Sequence, residues 1–259
     1  MKFSANLSLL FGEVPFLERF ERAARAGFEA VEFWWPAGED LAAVEAAIRD
    51  SGVAVVLFNF DAGDMTAGDR GLLSDPQRQA RFAENLPVAL DLASRIGCTQ
   101  LNALLGLELP GHTREEQLAL ATQNLRWAAQ EAAAIGATVL VEALNTFENG
   151  PYLISHTADA AALLDRVGAP NVALQYDVYH MQRMEGNLSD TIRRFAQRIA
   201  HVQIADAPGR GEPGTGEINF AYVLGVLAEL GYSGHVGLEY IPTTETTEAS
   251  LRWMPALAP

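Results

Sequence analysis

Residues 135–145, IGATVLVEALN, contain the unit from which the fold is read. Gly136 closes a helix-period segment, residues 138–141 form an apolar, β-branched run, and a carboxylate, Glu142, stands where the run stops. A glycine just past a helix suits a left-handed C-terminal cap, and a short apolar run after it reads as a buried strand. A charged group at the edge of a core is costly unless it is paired, hydrogen-bonded or bound to metal. The run HVGLEY, residues 235–240, repeats the arrangement with Glu239.

The same unit recurs along the chain. Gly27, Gly52, Gly97, Gly136, Gly168 and Gly231 each follow a helix-period segment and precede a strand-like run. Strands are expected at 3–6, 30–33, 53–59, 100–103, 138–142, 172–177, 201–204 and 236–239, with helices at 16–26, 41–51, 77–96, 114–135, 158–167, 188–198 and 220–230. In the first helix Phe16, Phe20, Ala23 and Ala24 share one face, while Glu18, Arg19, Glu21, Arg22 and Arg25 stay wet. Eight strands alternating with helices predict an α/β chain folded as a single (β/α)8 TIM barrel, one domain over residues 1–259. An open doubly wound sheet is the alternative, but it would carry a G-x-G-x-x-G fingerprint after an early strand, and none is present. A dinucleotide such as NAD is therefore not expected.

Composition narrows the function. The chain has 18 Lys plus Arg against 33 Asp plus Glu, a formal charge of -15, which repels phosphate backbones and anionic lipid surfaces. Neither nucleic acid nor a membrane is expected as a partner. Cys98 is the only cysteine, so no internal disulfide forms, and no apolar run reaches the length of a membrane span. Ser4, Asn6 and Ser8 interrupt the apolar N-terminal segment, which reads as the first strand and its loop, and a cytoplasmic location is expected. Lys2 is the only lysine and opens the first strand, at the wrong end of a barrel for Schiff-base chemistry, so pyridoxal phosphate is not expected either.

In a barrel the C-terminal strand ends converge on the active site. Here they carry Asn6, Glu32, Asn59, Asn102, Glu142, Asp177, Gln203 and Glu239. Glu142, Asp177, Gln203 and Glu239 come from the last four strands and form an oxygen-rich set suited to a hard divalent cation, Mg2+ or Mn2+. A cation would also keep three neighbouring carboxylates ionised. Glu148, His180 and Arg210 stand close by in sequence as candidate substrate contacts: a guanidinium can fork onto a carboxylate, and an imidazole can donate to a substrate oxygen. The bland readings are a capping or ion-pairing Glu, a packed loop histidine at His180, a Gln203 that satisfies backbone groups, and an Arg210 paired with Glu212. The glycines of 209–216 could cradle phosphate, against which Glu212 and Glu217 argue. Trp34 or Trp35 could wall the substrate pocket, Trp127 and Trp253 fall in helical segments and would pack the outer layer, and the long loop 60–76 reads as a lid.

With FSANLSLLFGEVPFLERFERAARAGFEAVEF, VEALN, QYDVYHMQRMEGNL, HVQIADAPGRGEPGTGEINF and GLEY followed by EASLRW, nearly the whole chain resembles the hydroxypyruvate isomerase family of the xylose-isomerase-like barrel superfamily. The resemblance implies interconversion of hydroxypyruvate and 2-hydroxy-3-oxopropanoate, with Glu142 and Glu239 as the proton-transfer carboxylates and Asp177 and Gln203 completing a metal site with them. Many sugar epimerases of the superfamily carry a second His where this chain reads HVQ, so an amide oxygen replaces imidazole at Gln203. The chemistry agrees: moving a carbonyl by one carbon needs a base, an acid and a group that stabilises an enediolate. The partner expected is a small keto acid, and a homo-oligomer is compatible with the resemblance because barrels of this group often pair. A 2-oxo-tetronate isomerase or a ketose 3-epimerase would use the same site, and a non-catalytic sugar-acid binder is the reading from another class.

Overall fold

The fold is described for residues 1–254 of a computed structural model; residues 255–259, the end of the expected domain, lie outside the described residues. Eight parallel strands close into a barrel in sequence order: β1 (Lys2–Asn6), β2 (Ala30–Phe33), β3 (Ala54–Asn59), β4 (Gln100–Asn102), β5 (Thr138–Glu142), β6 (Val172–Asp177), β7 (Ile199–Ile204) and β8 (His235–Leu238). The helices α1 (Phe16–Arg25), α2 (Leu41–Ser51), α3 (Gln79–Ile96), α4 (Arg114–Ala133), α6 (Thr157–Val167), α8 (Leu188–Phe195) and α9 (Phe220–Glu229) connect the strands. Short helices α5 (Thr146–Asn149), α7 (Val178–Met184) and α10 (Thr247–Ser250) lie in the loops after β5, β6 and β8.

Local chemistry sets the element ends. The side chain of Asp40 caps α2, and Thr113 and Glu116 form a reciprocal capping box at the start of α4. All six glycines singled out in the sequence have positive φ, from 66° at Gly168 to 94° at Gly27, the conformation that lets a helix end and the chain turn into the next strand. The three short helices were not expected. Asn145 caps α5 and Asp177 caps α7, each accepting a backbone N–H three residues on, so polar residues at strand ends also start helical turns. His180 therefore sits on a helix instead of in a loop.

Apolar side chains pack in the layer between strands and helices. Phe33 meets Phe16 and Phe20 of α1 edge-on at 5.7 Å and stacks on Phe58 at 5.6 Å; Phe20, Phe33 and Phe58 are fully buried and Phe16 partly so. Trp127 packs edge-on against Phe82 and Trp253 against Phe3, as outer-layer residues. The inside of the barrel is different. In place of stacked aliphatic layers it holds a hydrogen-bonded polar set around Glu32, whose carboxylate accepts from Ser4 Oγ at 2.8 Å and Gln203 Nε2 at 2.6 Å, with His201 Nε2 2.8 Å away. Burial alone would raise the Glu32 carboxyl, but His201, Gln203 and Ser4 outweigh it and hold the pKa below the ordinary range.

The register brings Asn6 level with Glu32, Asn59 with Asn102, Glu142 with Gln175 and Asp177 with Gln203, so the polar strand ends share one end of the barrel. Gly237, paired with Gln203, leaves room for Glu32: a Cβ there would lie 2.3 Å from a Glu32 oxygen. Gly237→Ala is expected to destabilise the fold by about 1–3 kcal/mol through overpacking. Gly225→Ala in α9, where a Cβ would meet nothing within 4 Å, should be neutral or stabilise by up to about 1 kcal/mol. Urea denaturation of both variants checks the pair, and equal effects would refute the account of Gly237.

Candidate active site

Three buried carboxylates face one another at the C-terminal mouth. Glu142 ends β5; its Oε2 accepts from Asn102 Nδ2 at 2.8 Å, while its Oε1 has no hydrogen-bond partner among the described residues. Asp177 ends β6; its Oδ1 accepts the His180 N–H at 3.0 Å, and its Oδ2 is likewise unpartnered among the described residues. Glu239 directly follows β8. Its Oε1 accepts from Asn6 Nδ2 at 3.0 Å and Trp34 Nε1 at 2.9 Å, and its Oε2 from Arg210 Nη2 at 2.6 Å. One oxygen from each acid and a ring nitrogen of His180 all lie within 4.8 Å of one another.

Arg210 reaches this point from the β7 loop. Asp206 braces that loop by accepting the N–H groups of Gly214, Gly216 and Ile218 at 2.8–3.1 Å, which leaves those glycine N–H groups engaged and gives no phosphate cradle. The Ile241 N–H donates to the Arg210 carbonyl at 2.8 Å and helps hold Arg210 at φ 56°. A left-handed non-glycine residue costs roughly 1–2 kcal/mol, so the loop's hydrogen bonds sustain a strained backbone at the site. The guanidinium lies 5.4 Å over the Tyr179 ring, pairs with Glu239 in place of Glu212, and keeps a buried Nε without a partner among the described residues.

The other expected residues are placed as follows. His180 is fully buried, with Nε2 3.7 Å from Asp177 Oδ2 and 4.0 Å from Glu142 Oε1. Glu148 accepts from the Tyr179 hydroxyl and lies 3.3 Å from Asn145 Nδ2; it stands behind the cavity wall, where the sequence suggested a direct contact. Gln203 has both ends of its amide engaged, which leaves its Oε1 one lone pair: its Nε2 donates to Glu32 at 2.6 Å and its Oε1 accepts from Gln175 Nε2 at 2.6 Å. The reason is the ionised Glu32 beneath it, a strong acceptor that fixes which way the amide points.

A cavity of about 80 Å³ lies among Trp34, Asn59, Met65, Arg70, Leu104, Glu142, Leu144, Asn149, His180, Arg210 and Glu239. Loop 60–76 supplies Met65 and Arg70 to its wall, and Arg70 Nε donates to Asn149 Oδ1 at 2.7 Å, strapping the loop to α5. A chamber of about 590 Å³ adjoins it, sharing Trp34, Asn59 and Met65 and walled also by Trp35, Asp61 and Arg81. Sequence reasoning missed Arg70, Asn145, Asn149 and Tyr179. For Asn145 a signal existed: Asn-x-x-Glu after an apolar run is a helix-start pattern.

Burial shapes the electrostatics first. It raises Glu142 well above the carboxylate range, and Glu239 and Asp177 add to the rise. It raises Asp177 against the pull of Arg210 and two backbone N–H groups, and brings Glu239 to about 7 against Arg210. Burial, helped by Arg210, lowers His180 well below its ordinary value, so the ring is neutral at pH 7. For Arg210 the four surrounding carboxylates outweigh burial and hold its pKa up.

The two unpartnered carboxylate oxygens and the all-oxygen character of the acids fit a hard divalent cation. A pH test follows from the raised pKa values. In the folded, chelated protein Glu239 titrates near 7 and an unfolded Glu near 4.5, so folding retains a proton between these values. That contribution to stability is complete below the unfolded value and is lost as pH rises through about 7. Thermal melts should therefore show Mg2+ raising Tm more at pH 8 than at pH 5; equal shifts would contradict the mutual destabilisation of the acids.

Comparison with known proteins agrees with this geometry. The family described as Xylose isomerase-like TIM barrel matches residues 20–257. The hydroxypyruvate isomerase of Escherichia coli (strain K12) is 43% identical over 254 residues, 98% of each chain, and the 2-oxo-tetronate isomerase of Haemophilus influenzae is 38% identical over 97% of each. A solved structure described as AP endonuclease, family 2, from Brucella melitensis superposes with a TM-score of 0.94 at 41% identity, covering 100% of this chain and 99% of that one. The chain belongs to the xylose isomerase-like TIM barrel family, within the group that its hydroxypyruvate isomerase and 2-oxo-tetronate isomerase relatives form.

Proposed function

We propose that this protein is an isomerase that interconverts hydroxypyruvate and 2-hydroxy-3-oxopropanoate. The observation that carries the reading is the pair Glu142 and Glu239, buried at the ends of two distant strands, with carboxylate oxygens within 4.8 Å of each other and Arg210 beside them. The strong similarity to the Escherichia coli enzyme adds the substrate class. The cavity of about 80 Å³ is of the size for a three-carbon acid, given that one water needs roughly 10–15 Å³ by the same measure.

In this reading the free Nε of Arg210 binds the substrate carboxylate, and His180 donates to a substrate oxygen. One of the paired carboxylates takes a proton from C3, and the carbonyl electrons move onto O2 to give an enediolate. The O3 proton passes to O2, the second carboxylate delivers a proton to C2, and the carbonyl re-forms at C3. Return of the proton between the two acids resets the pair. Glu142, Asp177 and Glu239, with the remaining lone pair of Gln203, would hold a divalent cation, which supplies Lewis-acid stabilisation of the enediolate charge. Mg2+ or Mn2+ matches the oxygen donors.

The adjoining chamber favours one second reading, a 2-oxo-tetronate substrate whose extra carbon extends past Trp34 and Met65. An endonuclease role, which the description of the Brucella structure names for that protein, is disfavoured here by a charge of -15 and by carboxylates at the mouth of the barrel, which repel a phosphate backbone. The single cysteine, buried and pushed up to about 12, is compatible with work in the cytoplasm, and no described helix is long and apolar enough to cross a membrane.

Glu142→Gln and Glu239→Gln should each lower kcat for hydroxypyruvate by about 10²–10⁴-fold with unchanged far-UV circular dichroism. Near-normal turnover in either variant would remove that residue from proton transfer. Wild-type protein that ignores hydroxypyruvate but turns over four-carbon 2-oxo acids would move the assignment to the second reading.

A further inference from the structure

Asn145 is fully buried and takes no place on the cavity wall, yet each polar atom of its side chain is engaged. Its Oδ1 accepts the Glu148 N–H at 3.1 Å, the cap of α5. Its Nδ2 therefore points the other way, 2.7 Å from His180 Nδ1 and 3.3 Å from Glu148 Oε2. The Asn145 backbone N–H approaches the same Nδ1 at 3.4 Å. Both contacts come from N–H donors, and an amide whose oxygen is tied by a helix start cannot turn over to offer a lone pair.

We propose that Asn145 is a positioning residue that locks neutral His180 in the tautomer with the proton on Nε2. The lone pair stays on Nδ1, facing Asn145, and an N–H is presented to the unpartnered oxygens of Glu142 and Asp177 and to the space between them. Two consequences follow. His180 serves as a hydrogen-bond donor to the substrate oxygen on which charge develops, and it does not ligate a cation, since a protonated nitrogen has no free lone pair. Its nearness to three carboxylates makes it look like the fourth metal ligand, but the nitrogen that faces them carries a proton in place of a lone pair.

This inference rests on the isomerase reading for its catalytic consequence, but the tautomer is measured without turnover. In wild-type protein labelled with 15N-histidine, with His180→Gln used to assign the resonance, two-dimensional 1H–15N spectra should show His180 protonated at Nε2, both after chelation and with Mg2+. A signal for the Nδ1-protonated tautomer, or averaging of the two, would overturn the proposal whatever the enzyme does. Asn145→Asp keeps an acceptor for the Glu148 N–H and replaces the donor toward Nδ1 with an oxygen. It should move the proton to Nδ1 and lower kcat about 100-fold, with a change of less than about threefold in KM. A folded Asn145→Asp protein with unchanged tautomer and kcat would overturn it too. Correct tautomer behaviour in both proteins without hydroxypyruvate turnover in the wild type would uphold the lock and refute only the isomerase reading.

Discussion

Three carboxylates buried within a few ångströms of one another are the constraint around which the rest of the mouth is arranged. Like charges out of water repel and lose hydration, and both effects push their pKa values up. The chain answers with one buried cation, Arg210, whose Nη2 lies 2.6 Å from Glu239, and with N–H donors from Asn6, Trp34, Asn102 and the start of α7. These satisfy Glu239 but leave one oxygen each on Glu142 and Asp177 without a partner among the described residues. The imbalance is concentrated where a cation and a substrate would sit, which is how a site can store binding potential instead of relaxing it away.

Beneath that layer a second buried acid plays a quieter part. Glu32 is held ionised by His201 and amide donors, and it orients two amides that reach upward: Asn6, which bridges to Glu239, and Gln203. In the run HVQ of β7 the third residue is an amide whose direction depends on a carboxylate on β2. Asn145 does the equivalent on the other side, with a helix cap fixing the amide and the amide fixing His180. In both places an uncharged side chain transmits orientation, because an amide has one donor end and one acceptor end.

Much of this was legible from residues alone. The helix, glycine, strand repeat gave eight strands and the barrel, because a left-handed cap and a buried apolar run are local signals that tertiary contacts reinforce. Glu142, Asp177 and Glu239 were visible as acids stranded at strand ends, and Arg210 as a cation lifted off the helices by flanking glycines. The short helices after β5 and β6 were missed, since four to seven residues give too little periodicity to read. Arg70 was missed because a long loop has no period at all, and only its contact with Asn149 brings it to the site.

The sequence by itself determined which residue types stand at the strand ends, and hence that acids from β5, β6 and β8 would meet in any barrel of this order. Only the tertiary structure decided how those groups are oriented. The direction of the Gln203 amide depends on Glu32 from β2, the tautomer of His180 on an amide from the β5 loop, and the pairing of Arg210 on an acid after β8. Hydrogen bonds are directional and these partners are 29 to 171 residues apart, so no local pattern in the chain encodes them.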